Sequence, residues 1–127
     1  MPMHVHIDKG RGLITTRGSG DVSDADFIAM ENLFEKSPDF SRKFARICDL
    51  TAVTDLKVST GLMKRWAEDP GMDRSARHAI VCDDPAVMTN VLDFIRESRG
   101  HSRDASVFPT FGQAENWIRE KSEPSEP

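Results

Sequence analysis

The sequence has little cysteine, no long hydrophobic run and no surplus of positive charge, and each shortage removes a class of function. Cys48 and Cys82 are the two cysteines among 127 residues, each inside an apolar, strand-like run. That placement suits small buried hydrophobes in a reducing compartment and argues against a redox pair. No stretch of about 18 apolar residues occurs, so no transmembrane helix is expected. The opening MPMHVHIDKGRG lacks the apolar core of a signal peptide, which leads to the expectation of a cytoplasmic protein. A formal charge of -4 and a pI of about 5.5 count against nucleic-acid binding, which needs a concentrated positive surface. Catalytic signatures are also missing. Gly18-Ser19-Gly20 has neither the spacing nor the Gly-Lys-Ser/Thr ending of a phosphate-binding loop and reads as a hinge or turn. His4 and His6 share a strand face without a third ligand at recognisable spacing. No nucleophile with a base and no paired carboxylate can be assembled, so neither enzyme activity nor a cofactor nor a metal is expected.

What remains is an ordinary globular composition, with 38% hydrophobic and 30% charged residues, in a chain of one-domain size. Residues 1–120 are expected to form a single domain, followed by a flexible acidic tail over 121–127, KSEPSEP, which has nothing to bury. Alternation over residues 4–8 places Val5 and Ile7 on one face of a strand and His4, His6 and Asp8 on the other. Gly10 and Gly12 turn the chain into a second strand over 13–16, giving a hairpin with an exposed edge. Ser23 caps a first helix with Asp24 and Asp26 in its opening turn, and Phe27, Met30, Leu33 and Phe34 form its apolar stripe. Residues 44–50, FARICDL, form a short strand, followed by a polar loop and a second helix over about 59–68 with Leu62, Met63, Trp66 and Ala67 on one face.

Residues 78–82, HAIVC, are apolar enough for a central strand. Asp84 caps a third helix with Pro85 at its first position, and Val87, Met88, Val91, Leu92 and Ile95 face inward. Asp83, at the carboxyl end of that strand, reads as a turn residue. Residues 105–109 supply a last strand, and Thr110 with Gln113 fits a capping box ahead of Ala114, Trp117 and Ile118. The order β, β, α, β, α, β, α, β, α predicts an α/β fold with a mostly parallel five-stranded sheet, an antiparallel edge and four helices.

This order resembles the SpoIIAA-like fold of the STAS and STAS/SEC14 proteins, a β-α superhelix. The segments that carry the resemblance are residues 18–26, 47–62, HAIVCDDPAV at 78–87 and VFPTFGQAENWI at 107–118, the last resembling an uncharacterised bacterial branch. In STAS proteins that antagonise anti-sigma factors, a strand ending Asp-Leu leads through a loop to Asp-Ser-Ser-Gly-Leu at a helix start, one Ser being phosphorylated. Here Asp49-Leu50 and Ser59-Thr60-Gly61-Leu62 resemble those two parts. Val58, preceded by Lys57, replaces the motif's Asp, and the connection is one residue longer.

Three candidate surfaces follow. Ser59 and Thr60 form a candidate phospho-switch, since a phosphate would sit among the free N–H groups of a helix start with Lys57 to pair with it; the same serine equally serves as a plain cap. Arg96, Arg99, His101 and Arg103 gather at the end of the third helix, either to contact an anion or acidic partner or to offset the helix dipole. Six Met and seven Phe, many on helices, either pack the core or line a pocket for an acyl chain, as the SEC14 side of the resemblance implies. The resulting expectation is a non-catalytic regulatory module that binds a protein partner or a small apolar or anionic ligand. The alternative is an anti-sigma factor antagonist switched at Ser59 or Thr60. An uncovered edge strand leaves room for a homodimer.

Overall fold

The computed structural model describes residues 3–122. It contains β1 (Met3–Asp8), β2 (Leu13–Ser23), α1 (Asp24–Glu35), β3 (Ala45–Lys57), α2 (Thr60–Glu68), β4 (His78–Val81), α3 (Pro85–Gly100), β5 (Ala105–Phe108) and α4 (Phe111–Ser122). The strands lie in the order β1-β2-β3-β4-β5, with β1 antiparallel to β2 and every later pairing parallel. Each parallel crossover is right-handed and moves one strand in the same direction, which places α1, α2 and α3 on a single face of the sheet. The opposite face is covered by α4, where Ala114 and Ile118 pack with Leu13, Ile47, Ala79 and Val81. The larger core lies under α1 to α3 and includes Met30, Phe34, Cys48, Leu50, Ile80 and Val91.

Local chemistry sets the element ends. Asp26 Oδ2 accepts from Ser23 N at 2.9 Å to start α1, and Asp84 Oδ1 accepts from Ala86 N at 2.9 Å ahead of α3, with Pro85 at a position that needs no N–H. Gln113 N donates to Thr110 Oγ1 at 3.2 Å at the start of α4.

Three expectations need correction. Gly18-Ser19-Gly20 is neither hinge nor turn: it lies inside β2, where register shifts between Arg17 and Ser19 and between Gly20 and Asp21 absorb the irregularity. Residues 51–57 are strand and not loop, because β2 and β3 stay paired as far as Ser23↔Lys57, long after β4 has ended. Most side chains of that overhang are exposed and polar, with buried Val53 and half-buried Leu56 among them, so the sequence reads as a loop. Leu33 and Leu92, assigned to inward stripes, are 51% and 50% exposed; Phe94 takes the inward place on α3. Helix α4 reaches Ser122, and the rest of the expected tail lies outside the described residues.

Gly18 is required by a close approach. A Cβ there would stand 2.8 Å from Val53 Cγ2 and 2.9 Å from Met3 Sδ, whereas one on Gly61 would meet nothing within 4 Å. Gly18→Ala is expected to cost about 1–3 kcal/mol through overpacking, and Gly61→Ala to stabilise α2 by roughly 0.5–1 kcal/mol. Urea unfolding of the two variants reads both signs; equal shifts would contradict the packing described.

Candidate functional site

The three helices on the shared face are not equivalent. Helix α1 lies against β1 and β2, and α3 against β3 and β5, while the close backbone neighbour of α2 is α3. Helix α2 therefore stands off the sheet as a roof. Beneath it is a cavity of about 110 Å³, bounded by Phe27 and Met30 of α1, Leu62, Met63 and Trp66 of α2 and Phe94 of α3. Its floor follows the two-residue repeat of the strands: Thr16 on β2, Arg46, Cys48 and Leu50 on β3, and His78 and Ile80 on β4. Leu56, Val58, Thr60 and Asn90 mark its end near the start of α2.

The roof is fastened at several points. Trp66 Nε1 donates to Glu31 Oε2 at 2.7 Å, and the indole meets Phe27 edge-on at 5.0 Å. At the start of the helix, Leu62 N donates to Ser59 Oγ at 3.2 Å and Ser59 N donates to Asp24 Oδ1 at 2.7 Å. Hydrogen bonding from Ser59 holds the Asp24 carboxyl below the usual carboxylate range. Asn90 Nδ2 ties α3 to Leu56 O at 3.2 Å. At the far end, Arg103 Nε and Nη2 donate to Glu68 O at 3.0 and 2.8 Å and its Nη1 to Met72 O at 2.6 Å, replacing the partners that a helix C-terminus lacks.

The floor carries an unusual polar group. Arg46 is 2% exposed, stacks over the Phe34 ring at 4.4 Å and donates from Nη1 to Pro70 O at 2.8 Å. Its Nε and Nη2 are buried with no hydrogen-bond partner. Burial brings the guanidinium down to about 10, with Glu31 and Glu35 favouring its charged form, so it stays protonated at neutral pH. An incompletely compensated ion in a protein interior costs several kcal/mol. Nearby, Thr16 Oγ1 meets no oxygen or nitrogen partner, and the Cys48 thiol beside it is a weak donor at best. Burial raises that thiol to about 11, which removes its nucleophilic character. His78, the register partner of Arg46, packs edge-on against Phe94 at 5.5 Å, and burial pushes it down to about 3.

Sequence reading located the end of the cavity near α2 and missed its floor. Ser59 and Thr60 stand exposed at the α2 start, Ser59 as the cap and Thr60 at the edge of the cavity. Lys57 Nζ lies 3.6 Å from both Asp21 and Asp55. The arginines in and after the last turns of α3 have separate duties: Arg96 pairs with Asp93 in solvent, Arg99 Nε donates to Ala105 O at 3.1 Å, and Arg103 clamps the end of α2. His4 and His6 are exposed on β1. Among the described residues, no group of three or more His, Cys, Asp or Glu is placed to hold a metal ion, and no helix is long and apolar enough to cross a membrane. Arg46, His78 and Thr16 had a signal. Each is a polar residue in phase with apolar, inward-facing neighbours on its strand.

No protein-family model and no curated protein matches the sequence. Solved structures do. An anti-sigma factor antagonist from Mycobacterium paratuberculosis aligns with a TM-score of 0.65 at 19% identity, over 92% of this chain and 94% of that one. An uncharacterised DUF3478-family protein from Shewanella loihica PV-4, with a SpoIIAA-like fold, aligns with a TM-score of 0.60 at 15% identity, over 91% and 93%. The chain has the SpoIIAA-like fold. That likeness extends over nearly the whole chain.

The buried histidine has a pH signature. Its folded pKa of about 3 lies below the ordinary 6.5, so between those values the unfolded chain binds a proton that the folded chain refuses. Stability is full above about pH 6.5 and declines as pH falls, by at most about 1.4 kcal/mol per pH unit from this group. Urea unfolding from pH 7.5 to 5.5, above the carboxylate range, is expected to show the onset of that decline in the wild type and a flatter profile in His78→Gln. Equal slopes would contradict the burial of a neutral His78.

Proposed function

We propose that this domain is a non-catalytic regulatory module whose ligand, a small apolar molecule with an anionic group, occupies the cavity beneath α2. The observation that carries the reading is the position of α2. A nine-residue helix with Leu62 and Ala67 as its buried residues spans the gap between α1 and α3 and leaves an apolar chamber against the sheet. Cores are close-packed as a rule, and an apolar pocket with a few convergent polar groups is the usual place for a ligand. The raised Cys48 thiol supports the non-catalytic part of the reading, since a thiol held near 11 supplies no thiolate at neutral pH.

A second reading rests on the solved anti-sigma factor antagonist that shares the fold. In it, the exposed Ser59 or Thr60 is phosphorylated and the added charge releases a protein partner. The surroundings are less favourable than a bare helix start, because the Asp24 carboxylate already occupies Ser59 N and the Lys57 ammonium is shared between Asp21 and Asp55.

Native mass spectrometry on protein purified from its own host separates the two. A co-purified small molecule that leaves on denaturation is the expected result. Covalent phosphate mapped to Ser59 or Thr60 on an otherwise empty protein would transfer support to the switch. Empty, unmodified protein that also fails to bind 1-anilinonaphthalene-8-sulfonate saturably would overturn the ligand reading.

A further inference from the structure

We propose that the cavity ligand is a single-chain carboxylate of medium length, bound head-first with its carboxylate on the Nε–Nη2 edge of Arg46. The inference rests on the cavity being a ligand site and adds the identity of the head group and the orientation of the chain.

The head group follows from which donors are free. A guanidinium has two side-on donors on one edge, Nε–H and one Nη–H, spaced to match the two oxygens of a carboxylate. In Arg46 the opposite nitrogen, Nη1, is held by Pro70 O at 2.8 Å, and the face of the group is stacked on Phe34 at 4.4 Å. The two atoms left unpartnered, Nε and Nη2, are the side-on pair. The Thr16 hydroxyl, buried on the cavity floor with only the Cys48 thiol beside it, offers one further donor. One cation and one hydroxyl suit a monoanion. A phosphate monoester carries close to two charges and three terminal oxygens, and Glu31 and Glu35, which favour the charged form of Arg46 from α1, would oppose the second charge. His78 adds no positive charge, being neutral at physiological pH.

The chain follows from shape. A chamber of about 110 Å³ is well below the roughly 300–1,000 Å³ of sites for drug-sized ligands and below the volume of an extended eight-carbon acid, so the α2 roof has to lift to admit even a single chain, and a nucleotide or a two-chain lipid demands far more room. Beyond Arg46 the floor is Cys48, Leu50 and Ile80 and the roof is Leu62, Met63 and Trp66, all uncharged, and the lining's other charged residue, Asp93 on α3, is paired with Arg96. The rise from Arg46 to Leu50 is about 13 Å at roughly 3.3 Å per residue, the reach of an extended medium-chain acid. Arg46 Nε and Nη2 are closed off from solvent, so the acid reaches them as the α2 roof lifts.

Octanoate, octanol and octyl phosphate, titrated into the intact protein by isothermal calorimetry, test the assignment. The wild type is expected to bind octanoate at least tenfold more tightly than octanol and more tightly than octyl phosphate. Arg46→Met is expected to lose that tenfold preference while still binding octanol, and Arg46→Lys, which keeps the charge without the fork, to recover only part of it. Equal wild-type affinity for octanoate and octanol would overturn the head-group assignment and leave the cavity as a ligand site. Preference for octyl phosphate would overturn the choice of carboxylate. Binding of none of the three would overturn both this inference and the reading beneath it. The wild-type comparison decides the matter even if Arg46→Met does not fold.

Discussion

A sheet of this width has room for two helices on a face, and this fold puts three there. Five strands about 4.8 Å apart span roughly 19 Å, and packed helices sit about 8–10 Å from one another. Because the strands follow one another in chain order and right-handed crossovers all fall on one side, α1, α2 and α3 compete for the same surface. Helices α1 and α3 take it, and α2 is displaced outward onto α3. The cavity is the space that this displacement leaves, and it is a consequence of topology before any side chain is considered.

Side chains then decide what the space is good for. An apolar residue at position 46 would have left the floor without a charge. The chain instead places a guanidinium there, anchors one end of it to the loop after α2 through Pro70 O, and leaves the other edge unmatched. Truncated or unpaired buried ions are costly, and replacing them by apolar groups is often neutral or stabilising. The unmatched edge of Arg46 is therefore a destabilising feature of the cavity floor. The same residue links ligand and roof, since the carbonyl that holds Nη1 belongs to the segment leaving α2. A ligand on Arg46 therefore bears on the helix whose exposed start carries Ser59 and Thr60.

Much of this architecture was legible in the sequence, and the failures share a cause. The strand and helix order, the caps at Ser23, Ser59 and Asp84 and the antiparallel edge are local features, encoded by period-two alternation, cap residues and Pro85. The overhang of β2 and β3 was not legible, because a strand paired on one side and mostly exposed has nearly the composition of a loop; residues 51–57 carry Thr51, Thr54, Asp55 and Lys57 at exposed positions around one buried residue, Val53. The exposure of Leu33 and Leu92 depends on where α1 and α3 stop being covered, which no periodicity specifies. The site was half visible. Ser59 and Thr60 announced themselves as a helix start, whereas Arg46, His78 and Thr16 come from three different strands and acquire meaning only when register sets Arg46 beside His78 and Thr16 beside Cys48.

The most direct test is amide hydrogen exchange on the full chain with and without saturating octanoate. The cavity account predicts that protection rises across α2, residues 60–68, and along residues 46–50 of β3, while α4 on the opposite face is unchanged. Protection confined to α4, or no change in α2 despite saturation, would contradict it.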